Sequence, residues 1–224
     1  MTFSEDFLSI VATRHCKRAF LPTHIDGQIL SAVFEAALQT ASSKNTQPWQ
    51  IAVISGAARD QLSAQLCEKF DAGVFESPDF KDHPDPMPEV HMARARDCGH
   101  ALFELKGIGR DDREKRKAHS RENFTFFGAP VQIIFHLPAH SQAGNFLDMG
   151  AFTQSVQLGL WAHGIGSCPQ ASLTAYAPTI RQFLKLEDRW IVCGLACGYP
   201  DPDAVVNTFI PQRVPLDEVV SWIK

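Results

Sequence analysis

The stretch that decides the fold reads Met149-Gly150-Ala151-Phe152-Thr153-Gln154-Ser155-Val156-Gln157-Leu158-Gly159-Leu160-Trp161, and it carries no charged side chain. Met149, Phe152, Val156 and Leu160 recur at helical spacing on one face, while Leu158 and Trp161 fall on others. A helix without a charged face is buried on more than one side. Two readings meet that condition equally well: a central core helix, or a helix at a large subunit interface. The uncharged span continues to Ile180, and another covers 123–147. Pro, Gly, His and Gln interrupt both, so neither reads as a membrane span.

Outward from this helix, expected over 145–163 with Asn145 as its cap, the chain mixes helices and strands without a regular βαβ rhythm. Helices are expected at 4–13, 26–40, 57–70 and 91–106. In the second, Asp26 is placed to cap, and Ile29, Leu30, Val33, Phe34, Ala37 and Leu38 share one face. Strands are expected at 50–54, 130–137 and 190–197. The mixed-charge run 110–121 reads as a solvated helix face. Four prolines within 77–88 forbid helix and central strand there, leaving a surface loop that serves as connector, lid or pocket wall. After Gly198-Tyr199-Pro200-Asp201-Pro202 an extended tail, 207–214, leads to a short last helix with Pro215 at its start. The pattern favours one α+β layered domain over 1–224.

Composition narrows the function. The 224 residues suffice for a self-sustaining core, with roughly 70% of the unfolded surface buried. With 21 Lys+Arg against 25 Asp+Glu, the net charge of −4 disfavours a nucleic-acid or acidic-membrane partner. The start, Met1-Thr2-Phe3-Ser4-Glu5-Asp6, lacks the basic and apolar regions of a secretory signal. Six scattered cysteines without CxxC or zinc spacing read as reduced thiols in a cytoplasmic protein. No GxSxG, phosphate loop or HExxH motif occurs, and the GxG pairs at 107–109 and 164–166 lack the third glycine.

Three segments could carry chemistry. Arg14-His15-Cys16-Lys17-Arg18 groups forked cationic donors suited to a phosphate, or simply ends a helix in solvent. Ala41-Ser42-Ser43-Lys44-Asn45-Thr46-Gln47-Pro48-Trp49 sets short polar side chains between two buried elements, or makes a helix cap and turn. Gly164-Ile165-Gly166-Ser167-Cys168-Pro169-Gln170-Ala171-Ser172 lets backbone N–H groups approach a flat ligand, or links two core elements as a loop.

Together and in this order, these segments resemble the nitroreductase family of flavin enzymes. The likeness rests on RHCKRAF at 14–20, SSKNTQPW at 42–49, FFGAPV at 126–131, GIGSCPQAS at 164–172, GYPDPDAVVN at 198–207 and PQRVPLDEVVSW at 211–222. It is greatest toward the nitrobenzoate reductase-like branch. The resemblance implies a central mixed or antiparallel sheet flanked by helices. It also implies an intertwined FMN-bound homodimer whose tail, 203–224, embraces the second copy, which tips the uncharged helix toward the interface reading.

Carried over by position, Arg14, His15, Cys16 and Arg213 would hold the FMN phosphate, and Arg18 would lie at the pyrimidine edge. Ser42, Ser43 and Asn45 would reach the ribityl chain and ring from the partner, and Pro169 would pack on the ring from the partner. Gln170, Ala171 and Ser172 would direct backbone N–H groups at N5 and O4. Cys16 stands where many members have Ser, Ala41 where Pro is common, and Pro211 where some have a basic residue. Phe124, Phe126 and Phe127 are candidates for a cleft wall or for core.

The resemblance further implies ping-pong transfer of hydride from NAD(P)H, through flavin N5, to a small aromatic acceptor, a nitroarene or a quinone. No metal and no side-chain nucleophile is expected. The alternatives are a flavin-binding or redox-sensing protein with little turnover, and a reductive dehalogenase of the same fold.

Overall fold

The most deeply buried strand is β2 (Val131–Pro138), in which seven consecutive residues from Val131 to Leu137 are shielded from solvent. A strand with no exposed alternate residue has both faces covered. Successive side chains point to opposite faces, and the core divides accordingly. On one side Ile133, Phe135 and Leu137 meet Met149, Phe152, Val156 and Leu160 of α6 (Ala143–Ala162), with Leu30 and Val33 of α2 (Gly27–Ala37). On the other, Ile134 joins a cluster with Leu62 and Leu66 of α3 (Gly56–Asp71) and Ile180 of α7 (Ala177–Leu184). The architecture is therefore helix, sheet, helix.

This computed structural model describes residues 3–224; Met1 and Thr2, the first two residues of the acidic start, lie outside them. The remaining helices are α1 (Phe3–Thr13), α4 (Glu89–Leu105) and α5 (Arg113–Arg121). The sheet is completed by β1 (Gln50–Ser55), β3 (Gly166–Gln170) and β4 (Arg189–Gly198) in the order β1-β2-β4-β3. Of the expected mixed or antiparallel sheet, the described strands realise the antiparallel form throughout. Among the described residues no helix is long and apolar enough to cross a membrane.

Several expectations need correction. Helix α6 begins at Ala143, and Asn145 is not its cap. Asn145 lies three residues inside and its side chain accepts a hydrogen bond from Gln142 N at 3.0 Å, closing the first turn from within. Residues 166–170 form a strand, not a loop. Their small and polar composition hides the pattern, yet Gly166 can lie only against Lys17 and Pro200, where a Cβ would come within 2.7 Å of either side chain. Helix α7 was not expected: it is only eight residues long and straddles the end of the uncharged span, with Pro178 in its first turn and Arg181 in its last. The last helix is a single 3-10 turn, Leu216–Glu218, after Pro215. Phe124, Phe126 and Phe127 are buried in the α3 side of the core.

The loop at 77–88 contains no regular element, as its prolines require, but its start is pinned. Both Asp79 oxygens accept from Arg181, and Ile191 N donates to Asp79 at 2.8 Å. Phe80 packs on Phe146, with ring centres 4.6 Å apart. These bonds make the segment around 79–80 part of the scaffold at the start of β4.

Within this chain α6 packs on the sheet and on α2, and one face is left open. Met149, Phe152, Val156 and Leu160 face the sheet, while Leu147, Gly150, Ala151 and Gln154 face solvent. The outward face still carries no charge.

Candidate functional site

The segment after α1 is held in place by the tail of the chain. Asn207, buried, accepts from the amides of Arg18 (2.8 Å) and Ala19 (3.2 Å) through Oδ1, and its Nδ2 donates to the carbonyls of Ala19 (2.8 Å) and Asp201 (2.9 Å). One amide thereby fixes 18–19 and 201 together. The Lys17 ammonium donates to His15 Nε2 at 2.8 Å and to the Asn207 carbonyl at 2.9 Å. His15 Nδ1 lies 2.9 Å from the Thr13 carbonyl, which assigns its proton to Nδ1. Both ring nitrogens are thus engaged internally, and burial pushes the Lys17 amine down from its ordinary value.

A second clamp joins this segment to β3. Lys17 N donates to the Ser167 carbonyl at 3.0 Å. Strand β3 pairs with β4 on one side only, so it is an edge whose outer backbone groups are open to other partners. The neighbouring Cys168 side chain and the charges of Arg18 and Arg14 lower the Cys16 thiol to about 6, against the opposing effect of burial.

Arg14 reaches from the same segment to α6, where Nη1 donates to Gln157 Oε1 at 3.3 Å. Its Nε is buried without a hydrogen-bond partner, as is Ser172 Oγ beyond the end of β3. Buried donors left unpaired cost free energy unless water or a ligand satisfies them, and these two lie beside the same open strand edge. Two guanidinium groups flanking a thiol, with an unpaired Nε and an open strand edge, form a donor set that fits a phosphate ester carrying a flat polar ring.

The structure therefore brings Arg14, His15, Cys16 and Arg18 beside the strand that ends in Pro169 and Gln170. Pro169 and Ala171 are exposed. Gln170 is buried, and its Nε2 donates to the Asn123 carbonyl at 2.6 Å, which fixes the backbone leading into Ala171 and Ser172. Ser42, Ser43 and Asn45 are elsewhere. Ser43 N donates to Asp148 at 3.2 Å, whereas Arg14 meets Gln157. Those two contacts lie nine residues, or about 13 Å, apart along α6 at about 1.5 Å per residue. In the loop at 42–47, Lys44, Asn45 and Gln47 all adopt positive φ, an unusual strain for non-glycine residues. Arg213 is exposed, bonded to the carbonyls of Pro211 and Gln212, and lines a cavity of about 560 Å³ with Arg94, Cys98 and Phe209. Among the described residues no hydrogen bond or ion pair joins it to Arg14 or His15.

Sequence reasoning gave no role to Asn207 or Gln157, and it took Lys17 for a phosphate donor where the structure turns its ammonium inward to His15 and Asn207. Gln157 had a legible signal: an amide on the face shared with Thr153 and Leu160 of an otherwise apolar helix. Asn207 had none, because Arg18 and Ala19, which it joins to Asp201, lie nearly the whole chain length away.

The nitroreductase family model matches residues 11–199. The chain is 36% identical to nitroreductase NfnB of Mycolicibacterium smegmatis over 95% of this chain and 91% of that protein. It is 35% identical to a 4-nitrobenzoate reductase of Pseudomonas putida over 94% of this chain and 92% of that protein. The crystal structure of the FMN-dependent nitroreductase NfnB from Mycobacterium smegmatis in complex with NADPH superposes with a TM-score of 0.96 at 34% identity, covering 100% of both chains.

Proposed function

The chain belongs to the nitroreductase family, and from that premise we propose that it is an FMN-dependent NAD(P)H oxidoreductase reducing nitroaromatic acceptors. The observation that carries this reading is the cradle between the 14–18 segment and β3, where Arg14 Nε and Ser172 Oγ are buried without partners. FMN, when bound, supplies the hydride chemistry, so the protein needs no side-chain nucleophile. Arg14 and the backbone at His15 and Cys16 hold the phosphate. The Arg18 cation stabilises negative charge at the pyrimidine edge, and the fixed backbone at 170–172 orients the ring.

Two copies complete the site in this proposal. Ser42, Ser43 and Asn45, at the far end of α6 in their own protomer, come from the partner, and Arg213 reaches a phosphate through the tail. The nicotinamide leaves before the acceptor enters, giving ping-pong kinetics. Six unpaired thiols suit a reducing cytoplasm.

The test is colour and then turnover. The purified protein should be yellow and should bleach with NADH or NADPH under nitrogen. Adding a nitrobenzoate should restore the colour, and initial rates should give parallel double-reciprocal lines. A colourless chain that takes up no FMN overturns the reading. A chain that bleaches but passes electrons to no nitroarene or quinone is a flavin-binding protein instead.

A further inference from the structure

From Asn123 to Ile180 the chain holds a single residue of the Asp, Glu, Lys and Arg types, and it is Asp148. It sits in the second turn of α6 and is 7% exposed. A buried carboxylate is costly unless something pairs with it. Among the described residues no cation forms an ion pair with Asp148. Both of its oxygens instead accept from one backbone group, Ser43 N, at 3.2 and 3.3 Å.

The connection between α2 and β1 is tied to α6 at three places. Thr40 Oγ1 donates to Ser155 Oγ at 2.8 Å before the loop, and Trp49 stacks on Phe152 after it, with ring centres 4.8 Å apart. Between these ends, Asp148 is the only group outside the loop, among the described residues, that is hydrogen-bonded to residues 41–48. The stretch it holds has an unusual form. Lys44, Asn45 and Gln47 have φ of 52°, 56° and 46°. Non-glycine residues keep such values only where their surroundings impose them. Inside the loop Asn45 N donates to the Ser42 carbonyl at 3.0 Å, Thr46 N to the Ser43 carbonyl at 3.1 Å and Gln47 N to Ser42 Oγ at 3.0 Å. These bonds tie the loop to itself; the Asp148 bond ties it to the protein.

We infer that Asp148 is a positioning residue for cofactor binding: through Ser43 N its carboxylate holds the 42–45 loop in the conformation that presents Ser42, Ser43 and Asn45 to FMN in the cradle of a second copy. This rests on the proposed contribution of that loop to the partner's site. The chemistry suits the task. An ionised carboxylate only accepts hydrogen bonds, so it engages the backbone N–H at the root of the loop. The polar side chains at the tip stay available, and Ser43 and Asn45 are exposed. Without the carboxylate, Ser43 N loses its partner and the strained residues beside it are free to relax toward negative φ.

The experiment compares the full-length wild-type chain with Asp148→Ala and Asp148→Asn; asparagine keeps an oxygen that accepts from Ser43 N. Amide hydrogen exchange of the segment 42–47, followed by mass spectrometry without FMN, should be faster in Asp148→Ala and near wild type in Asp148→Asn. In a flavin fluorescence titration Asp148→Ala should bind FMN about tenfold more weakly, and Asp148→Asn should recover to within about threefold. Because the effect runs through the loop, Asp148→Ala combined with Asn45→Ala should bind FMN about as weakly as the weaker single variant, not by the product of the two losses. Circular dichroism checks folding, and Asp148→Leu, which lacks an acceptor and favours helix, replaces an alanine variant that does not fold. Unchanged exchange in Asp148→Ala, or equal loosening in Asp148→Asn, overturns the anchoring bond. Faster exchange with wild-type FMN affinity, or losses that multiply with Asn45→Ala, overturns the positioning role. A wild-type chain that takes up no FMN fails the cofactor reading and the positioning with it, and the exchange rates still decide whether Asp148 holds the loop.

Discussion

Arg14 is the residue on which the cradle depends most, because its Nε is buried with no partner and its Nη1 has only Gln157. Charge-assisted hydrogen bonds are worth about 1.5–3 kcal/mol, so Arg14→Ala should weaken FMN binding about tenfold to a hundredfold. Circular dichroism should show the fold intact, and an unchanged affinity in a fluorescence titration would refute its role. Asn207 has the opposite character. Its Ala variant strands two amides and two carbonyls, so it should destabilise the fold by about 2–4 kcal/mol, read as a lowered Tm. The contrast explains what was legible. The cations at 14–18 announce themselves by type and spacing, whereas a single Asn whose partners lie far away in the chain does not. His136 supplies a pH dependence. It is buried in β2 with Nδ1 unpartnered, and burial, aided by Arg189, lowers it from 6.5 to about 4. Between those values the unfolded chain binds the extra proton, so stability falls as pH drops from about 6.5 toward 4. Urea melts of His136→Leu should lose that part of the slope.

Among the elements, α2 and α6 meet at Gly159, where an added Cβ would lie 2.9 Å from Val33 Cγ1. Alanine gains about 1 kcal/mol over glycine in a helix, but overpacking costs about 1–3 kcal/mol and a β-branched neighbour has little freedom to move. Gly159→Ala should therefore lower Tm, and Val33→Ala in the same chain should recover part of the loss; additive effects would refute the contact. Helical elements with clear periodicity, such as α2 with its Asp26 cap bonded to Gln28 N at 2.9 Å, were legible nearly to their ends. Strand β3 was not. Gly-Ser-Cys-Pro-Gln has little strand propensity, and its extended form is imposed by pairing with β4 and by the Lys17 clamp. The same override makes it useful, since a strand of small residues at a sheet edge offers its backbone where side chains would block approach. The sequence marks the segment as a candidate, but its extended conformation is not legible there.

For the molecule as a whole, the face of α6 turned away from the sheet is the remaining problem. It carries no charge, and the tail beyond it exposes Trp222 (76%) and Ile223 (92%). Large exposed apolar side chains gathered on one chain mark a contact surface. The proposed partner contribution of Ser42, Ser43 and Asn45 gives that surface an occupant, a second copy of the chain. In the proposed dimer, a second copy related by a two-fold axis across α6 would bring the 42–45 loop of one chain toward the 14–18 cradle of the other, and a symmetric pair would do so twice. The wild-type chain should accordingly sediment as a dimer. Ala151→Glu sets a carboxylate on the outward, solvent-exposed face of α6, where it costs a monomer little. In the pair it would be a buried charge without a partner, worth several kcal/mol against association. The variant should therefore sediment as a folded monomer, and because the second half of each cradle leaves with the partner, FMN should be lost at the same protein concentration. A folded Ala151→Glu monomer that retains FMN with wild-type affinity would show that one chain suffices for the cradle.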